Sequence, residues 1–172
     1  MNKTFHANNI HFNACVGKNG QIDYETYALG YLDAVKIMVT ATLKHQTIVD
    51  TIVYPLVYSA RHYIELIIKH QLHHLAIIRN ILDSSFTYQL LATHDISTLW
   101  REFEAITRFD LRYNSFKKNA NPYIADFSQI DDNGEAFRYP YSKDNTQYLT
   151  ELYCIDIIDF WKRFEKLSEI LN

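Results

Sequence analysis

The stretch TIVYPLVYSARHYIELIIKHQLHHLAIIRNIL, residues 51–82, decides the fold because it is the most apolar long stretch of the chain. Within it, Pro55 removes one backbone donor, so this residue either kinks a helix or marks its true start. We predict one long helix from about Thr47 to Leu82. Polar and charged residues interrupt the run too often for an uninterrupted membrane span, and we predict no transmembrane helix.

The composition of the whole chain favours the same kind of structure. Its 172 residues are 48% apolar, which is enough for one sizeable core, and we predict a single domain over 1–172. Only four glycines and three prolines are present, a balance that favours long helices over a turn-rich sandwich or barrel. The formal charge of −3 gives no global attraction to nucleic acid or anionic lipid, so a polyanion site would have to be a local cluster.

The cysteines and the first residues bear on location. Neither Cys15 nor Cys154 has a second cysteine at CxxC spacing, and the chain opens with the polar MNKTFHANN in place of the apolar core of a signal sequence. These features predict a protein of the reducing cytoplasm.

Helix signals recur outside the long helix. Asp23 is a plausible N-cap for a first helix that ends at about Leu43, and Asp95 precedes a strongly amphipathic third helix. Asn121 followed by Pro122 is typical of an N-cap and the first position of a short fourth helix. The last apolar stripe predicts a final helix from about residue 149 nearly to the terminus. We therefore expect an all-α fold, with residues 83–93 as a short ordered connection.

Two segments carry hairpin signals instead. Asn19-Gly20, within HFNACVGKNGQID, predicts a small hairpin or an arm over residues 1–22. Further on, DDNG at 131–134 predicts a turn, EAFRYP suits an extended strand that Pro140 ends, and SKDN predicts a second turn. A small β-hairpin near 136–148 is therefore expected to interrupt the helices.

Polar residues follow one another at four-residue steps along the long helix. Arg61, Glu65, Lys69 and His73 form this line within otherwise apolar sequence. One interpretation is a solvated ladder of ion pairs on the helix surface. The other is a cleft in which Arg61 and Lys69 hold a phosphate while Glu65 fixes their geometry. The spacing alone leaves both open.

Two histidines are candidates for proton transfer. His62 lies beside Arg61, and histidine is a common proton donor or acceptor in hydrolysis of a phosphodiester; the alternative is a hydrogen-bonded core residue. His94 precedes the third helix and sits next to Asp95, whose capping role needs no further function. His94 is therefore a second candidate, with Asp95 beside it.

A histidine cluster occupies the second half of the long helix. His70, His73 and His74 include spacings that place imidazoles on one helical face, where a divalent transition metal could bind. No matching set of carboxylates or cysteines accompanies them. We expect a partly exposed histidine surface, and neither a metal nor another cofactor.

FRYP, residues 137–140, holds an arginine between two aromatic residues. Strand alternation would bury Phe137 and Tyr139 on one face and direct Arg138 to the other. Arg138 then either pins the hairpin to Glu65 or Asp95, or it presents its planar donor fork to a phosphate.

Three segments together resemble the HEPN superfamily of bacterial helical domains. They are YPLVYSARHYIELIIKH, HDISTLWREF and DDNGEAFRYPYSKDN, in this order, and the resemblance spans about Tyr24 to Phe164. It is to a branch with R-H-Y-x-E-L-x-x-K, H-D-x-x-x-L-W and F-R-Y-P segments. The resemblance implies a bundle of four or five helices that forms a homodimer and belongs to toxin–antitoxin or antiviral defence modules, where a cognate antitoxin or defence partner is expected.

Active members of that superfamily are metal-independent ribonucleases with an Arg-x(4–6)-His motif, and no arginine of this chain has a histidine at that interval. Roles are therefore assigned from local chemistry and from the three segments. The catalytic candidates are Arg61, His62, His94 and Arg138, and the binding candidates are Glu65, Lys69, Asp95 and Tyr139. Two functions follow: an endoribonuclease, or a non-catalytic HEPN-like module that binds a partner protein, a nucleotide or RNA.

Overall fold

The computed structural model describes residues 4–5, 11–20, 23–84 and 92–172, and its regular structure there is helical without any strand. The five α-helices are α1 (Tyr24–Leu43), α2 (Val49–Leu82), α3 (Ile96–Ile106), α4 (Tyr113–Ile130) and α5 (Ile157–Leu171). Helix α1 packs along α2, α2 also contacts α3 and α5, and α4 contacts both α3 and α5. The predicted all-α class is confirmed.

The first three helices begin close to where the sequence predicts. Asp23 accepts a hydrogen bond from the Thr26 amide at 2.7 Å, and Asp95 accepts one from the Thr98 amide at 2.8 Å, so both residues are N-caps. Helix α2 runs through Pro55 without ending there. Because Pro55 is exposed, water can hydrate the carbonyl that loses its donor.

Helix α4 differs from the prediction, since it begins at Tyr113 and contains Pro122 in its interior. Asn121 is therefore not an N-cap. Its side-chain oxygen instead accepts a hydrogen bond from the Trp100 indole nitrogen at 2.7 Å, which ties α4 to α3. The proline is exposed, so hydration again offsets the lost backbone bond.

The predicted strand at 135–140 is wrong, because this segment is a helical turn. The Arg138 and Tyr139 amides both donate to the Glu135 carbonyl, at 3.0 and 2.9 Å. The Asp131 carboxylate accepts from the amides of Glu135 and Ala136 at 2.9 and 3.1 Å, and it caps the turn from outside the segment. Tyr139 is consequently 50% exposed instead of sharing a buried face with Phe137.

A loop connects this turn to the last helix. Within the described residues the expected hairpin near 136–148 is reduced to one isolated bridge, between Tyr141 and Gln147. Leu149 has a positive φ of 57°, which a helix does not accommodate. Helix α5 therefore begins later than predicted, where the Asp156 side chain caps the amides of Ile158 and Asp159.

The N-terminal arm has no strand in the residues that are described. Residues Gly17–Asn19 form a single 3-10 turn, and Phe12 and Val16 are 86% and 74% exposed. Much of the predicted hairpin or arm, and residues 85–91 of the predicted connection, lie outside the described residues.

The core lies between α2 and the other four helices. Tyr63 of α2 makes an edge-to-face contact with Phe164 of α5, while Phe103 of α3 packs against Trp100 and Phe116. In the described ranges, no helix combines the length and hydropathy that crossing a membrane requires.

Candidate functional site

Arg61, in the middle of α2, is the centre of a buried hydrogen-bond network. Its side chain is 1% exposed. Nε donates to the Asp131 carbonyl at 2.7 Å, Nη1 to Glu65 Oε2 at 3.1 Å, and Nη2 to the carbonyls of His94 and Asp132. We call this group the Arg61 network. It joins α2 to the residues before α3 and to the turn after α4, and it holds the Arg61 guanidinium in the interior.

Glu65 is the carboxylate that the rest of the site shares. It is 2% exposed, and Lys69 Nζ donates to its Oε1 at 2.8 Å. Burial alone would raise the pKa of Glu65, but interactions with His62, Lys69 and His94 outweigh burial and hold the pKa below its ordinary value. The polar line of α2 is therefore not a solvated ladder, because Arg61, Glu65 and Lys69 are all buried.

A second carboxylate balances the charge of Arg61. Asp131 Oδ2 lies 3.9 Å from Arg61 Nε and has no hydrogen-bond partner among the described residues. With Glu65 and Asp131 facing Arg61 and Lys69, two negative and two positive groups share the interior. Removing one of them would leave an uncompensated buried charge.

Gly134 closes the turn against the guanidinium. Its φ is +75°, and a Cβ built there would lie 2.6 Å from Arg61 Nη1 and 2.9 Å from Cζ. Only glycine satisfies both the backbone conformation and the close approach. DDNG predicts an ordinary turn from sequence, and the packing of Gly134 against Arg61 was not predicted, although Asn133-Gly134 was the available signal.

His94 reaches the network from outside. Its Nδ1 lies 2.9 Å from Glu65 Oε1, and its side chain is 72% exposed. When Nδ1 donates to the carboxylate, the imidazole tautomer is fixed and Nε2 carries the free lone pair. A buried carboxylate behind an exposed imidazole is an arrangement that accepts protons from a bound molecule.

His62 lies on the other oxygen of the same carboxylate. Its Nδ1 is 3.6 Å from Glu65 Oε2, and 21% of its side chain is exposed. Tyr31 meets the imidazole edge-on, with ring centroids 4.5 Å apart, and Tyr58 stacks on it at 5.6 Å. These two rings orient His62, and neither contact was predicted from the sequence. Tyr58 precedes His62 by one helical turn, a spacing that would have pointed to it.

Arg138 is exposed and is held by aromatic rings. Its Cζ lies 5.5 Å from the centre of the Tyr58 ring and 5.0 Å from that of Tyr139, and Nη2 donates to the Tyr139 hydroxyl at 3.0 Å. Burial and the adjacent Tyr31 raise the pKa of the Tyr58 hydroxyl, although Arg138 opposes this shift. Arg138 pins neither Glu65 nor Asp95 by a direct bond that the structure describes.

Asp95 stands apart from these groups because α3 occupies its carboxylate. Both oxygens accept from Thr98, one from the amide and one from the hydroxyl. Burial would raise the pKa of Asp95, but these hydrogen bonds outweigh it and lower the pKa. Asp95 therefore serves the helix start, as the capping interpretation expects.

The structure thus brings most of the candidates together. His62 and His94 meet at Glu65, and Arg138 is connected to His62 through Tyr58, which stacks on both. Arg61 and Lys69 support the carboxylate from the interior. What this site offers to a bound molecule is one exposed imidazole, one largely covered imidazole and one exposed guanidinium.

The histidine cluster of α2 lies elsewhere. His70 and His74 have ring centroids 4.3 Å apart, and His70 Nε2 is 3.9 Å from Glu25 Oε2. Burial and the nearby His74 lower the pKa of His70. The described residues contain no group of three or more metal-ligating side chains placed to hold an ion.

No protein-family model matches this chain, and neither does any curated protein or solved structure. A functional conclusion therefore rests on the chemistry of the described side chains. The residues that carry it are His94, His62 and Arg138, which are the polar groups of the site that solvent reaches.

Proposed function

We propose that this chain is a HEPN-like domain of a bacterial toxin or antiviral defence module, and that it acts as a metal-independent endoribonuclease. The observation that carries the proposal is the exposed His94 imidazole, whose Nδ1 lies 2.9 Å from the buried Glu65 carboxylate. The His62 imidazole and the exposed Arg138 guanidinium supply the other groups needed when the 2′-hydroxyl of RNA attacks the adjacent phosphate.

The reaction can be assigned to these groups. His94 Nε2 takes the proton of the 2′-hydroxyl, whose oxygen attacks the adjacent phosphorus. The bond from phosphorus to the 5′-oxygen breaks, and a protonated His62 donates the proton that this oxygen needs. Arg138 stabilises the negative charge that develops on the phosphoryl oxygens. The products are a 2′,3′-cyclic phosphate and a free 5′-hydroxyl, and no metal takes part.

Three neighbouring side chains orient His94 and His62 without touching the substrate. Glu65 fixes the tautomer of His94, and Arg61 holds the His94 carbonyl, so the backbone and the side chain of this residue are both restrained. Lys69 keeps Glu65 ionised. These are positioning residues, because all three side chains lie in the interior.

Cleavage of RNA in the presence of a chelator tests the proposal. Total RNA is incubated with the wild-type chain and with His94→Asn, whose amide can still donate to Glu65 but cannot accept a proton as an imidazole does. His73→Ala is the matched control, since His73 is an exposed histidine of α2 outside the site. We expect cleavage by wild type and the control, cyclic phosphate ends, and a loss of at least a hundredfold in His94→Asn. If the wild-type chain cleaves none of the RNAs tested, the proposed ribonuclease activity is refuted.

A second candidate function follows from the enclosure of Arg61. Since its guanidinium is satisfied by carbonyls and carboxylates within the chain, the network also fits a rigid, non-catalytic HEPN-like module that binds a partner protein, a nucleotide or RNA. A wild-type chain that binds RNA without cutting it would favour this alternative.

A homodimer in the cytoplasm is part of the proposal. It is supported by apolar side chains near the end of α2, among which Ile81 and Leu82 are 76% and 81% exposed. Sedimentation velocity at several concentrations tests it. A monomer at every concentration would remove the dimer from the proposal, while the assignment of His94 would stand.

A further inference from the structure

A cleft of about 700 Å³ opens beside Arg138, and His62 is not among its described lining residues. It lies between the first turns of α2 and the loop that precedes α5. Its volume is in the range of clefts that bind small organic molecules. Arg138 lines this cleft and also stacks on Tyr58, so the same guanidinium belongs to the cleft and to the candidate site.

Tyrosine rings dominate the accessible wall of the cleft. Tyr54, Tyr139 and Tyr153 line it and are 49%, 50% and 92% exposed. Exposed aromatic rings next to a cation are the pattern by which proteins bind single-stranded nucleic acid, because every base can stack on a ring whatever its identity. A buried apolar pocket for a lipid or a peptide side chain would not leave these hydroxyl-bearing rings at its surface.

The cleft also carries one charged group of each sign. Among its described lining residues, Arg138 is the basic one and Asp50, in the first turn of α2, is the acidic one. A nucleotide matches this polarity, since its phosphate carries negative charge and its base carries amino or imino donors. A simple anion would use Arg138 alone and would leave the tyrosine wall and Asp50 without a role.

We infer that this cleft is a nucleotide subsite, in which an unpaired base stacks on Tyr54 and Tyr153 while its phosphate contacts Arg138. The inference rests on the proposed function, because it names the part of the RNA that the same site would hold. Contacts of 5.5 Å from Arg138 to Tyr58 and 5.6 Å from Tyr58 to His62 connect the guanidinium of the cleft to the histidine of the candidate site. A base that is paired in a duplex cannot enter, so the substrate is single-stranded.

Binding of a strand that cannot be cut tests the inference separately from catalysis. A labelled DNA tetranucleotide lacks the 2′-hydroxyl, and its affinity is measured by fluorescence anisotropy with adenosine monophosphate, inorganic phosphate or a DNA duplex as competitor. We expect the mononucleotide to compete, and inorganic phosphate and the duplex to compete at least tenfold less well. Tyr54→Leu and Tyr153→Leu should each weaken binding on the order of tenfold.

Tyr27→Leu is the matched control, because Tyr27 is a 56% exposed tyrosine of α1 that does not line the cleft. Its affinity should equal that of wild type. Both cleft substitutions are at exposed rings, and a thermal midpoint close to that of wild type shows that the fold is intact.

The outcomes separate the two proposals. Normal binding without RNA cleavage by wild type would refute the nuclease and keep the subsite. RNA cleavage with unchanged affinity and KM in both tyrosine variants would overturn the subsite and keep the nuclease. Equal competition by inorganic phosphate, or no binding of the single strand at all, would also overturn the subsite.

Discussion

Replacing Gly134 by alanine should destabilise the domain by about 2.5–5 kcal/mol. The new Cβ would lie 2.6 Å from Arg61 Nη1, well inside van der Waals contact. Arg61 cannot simply swing aside, because Asp131, Glu65, His94 and Asp132 hold its guanidinium.

Two contributions make up this magnitude. The positive φ of 75° costs an alanine about 1–2 kcal/mol. Displacing the guanidinium loses at least one hydrogen bond to a charged group, which is a further loss of about 1.5–3 kcal/mol. The sum is a large share of a typical domain's stability of about 5–15 kcal/mol.

Urea unfolding followed by far-UV circular dichroism measures the effect, with Gly30→Ala as the matched control. Gly30 lies within α1, and a Cβ there would meet nothing within 4 Å. This substitution should stabilise the domain by about 0.5–1 kcal/mol, because alanine is the better helix former. Opposite signs for two glycine-to-alanine changes are a sharper expectation than a single loss.

Unfolding of Gly134→Ala at the same urea concentration as wild type would contradict the expected loss of stability. The guanidinium would then be free to move, and the Arg61 network would not be the rigid support that holds His94. A shift limited to the size of the φ contribution would mean that the close contact is relieved by a small movement of the turn.

Three further substitutions probe the same groups. Arg61→Met should destabilise by about 3–5 kcal/mol, measured by urea unfolding, because Glu65 loses a buried partner and three carbonyls lose their donor; a cost below about 1 kcal/mol would contradict this. For Glu65→Gln, the sign follows from the lowered pKa: ionised Glu65 stabilises the fold above its unfolded pKa of about 4.3, and this contribution is lost as the pH falls towards the folded value. Its unfolding free energy should therefore change less than that of wild type between about pH 5 and about pH 3. Arg138→Ala should cost only about 0.5–1 kcal/mol, from lost ring contacts, while RNA cleavage falls strongly; a cost like that of Arg61→Met would assign it to the fold instead.

The parts of the fold that local chemistry determines were predictable. Asp23 and Asp95 cap helices by contacts three residues away, and the apolar stripes of α1 and α3 give their buried faces directly. The start of α4 and the strand at 135–140 were predicted wrongly because they depend on distant or flanking partners. Asn121 and Pro122 resemble a helix start, but Trp100 of another helix uses the asparagine, and the helix continues through the proline.

The same distinction applies to the site. Four-residue spacing correctly placed Arg61, Glu65 and Lys69 on one face of α2. It did not indicate whether that face is exposed to solvent. What buries it is the turn after α4, whose Asp131 and Asp132 carbonyls lie 70 and 71 residues along the chain from Arg61. Contacts at this separation leave no periodic pattern in a single sequence.

The two arginines that looked alike in sequence have different roles because of what satisfies their donors. The Arg61 guanidinium donates its hydrogen bonds to carbonyls and a carboxylate of the chain itself. It therefore stabilises the fold and has few donors available for a substrate. Arg138 is held by the faces of Tyr58 and Tyr139 and donates from Nη2 to the Tyr139 hydroxyl, which leaves its other hydrogen-bond donors available. An exposed guanidinium that is restrained and still has available donors is suited to bind phosphate. The chemistry we propose therefore depends on the separation of these tasks: the interior arginine keeps Glu65 and His94 in place, and the surface arginine meets the RNA.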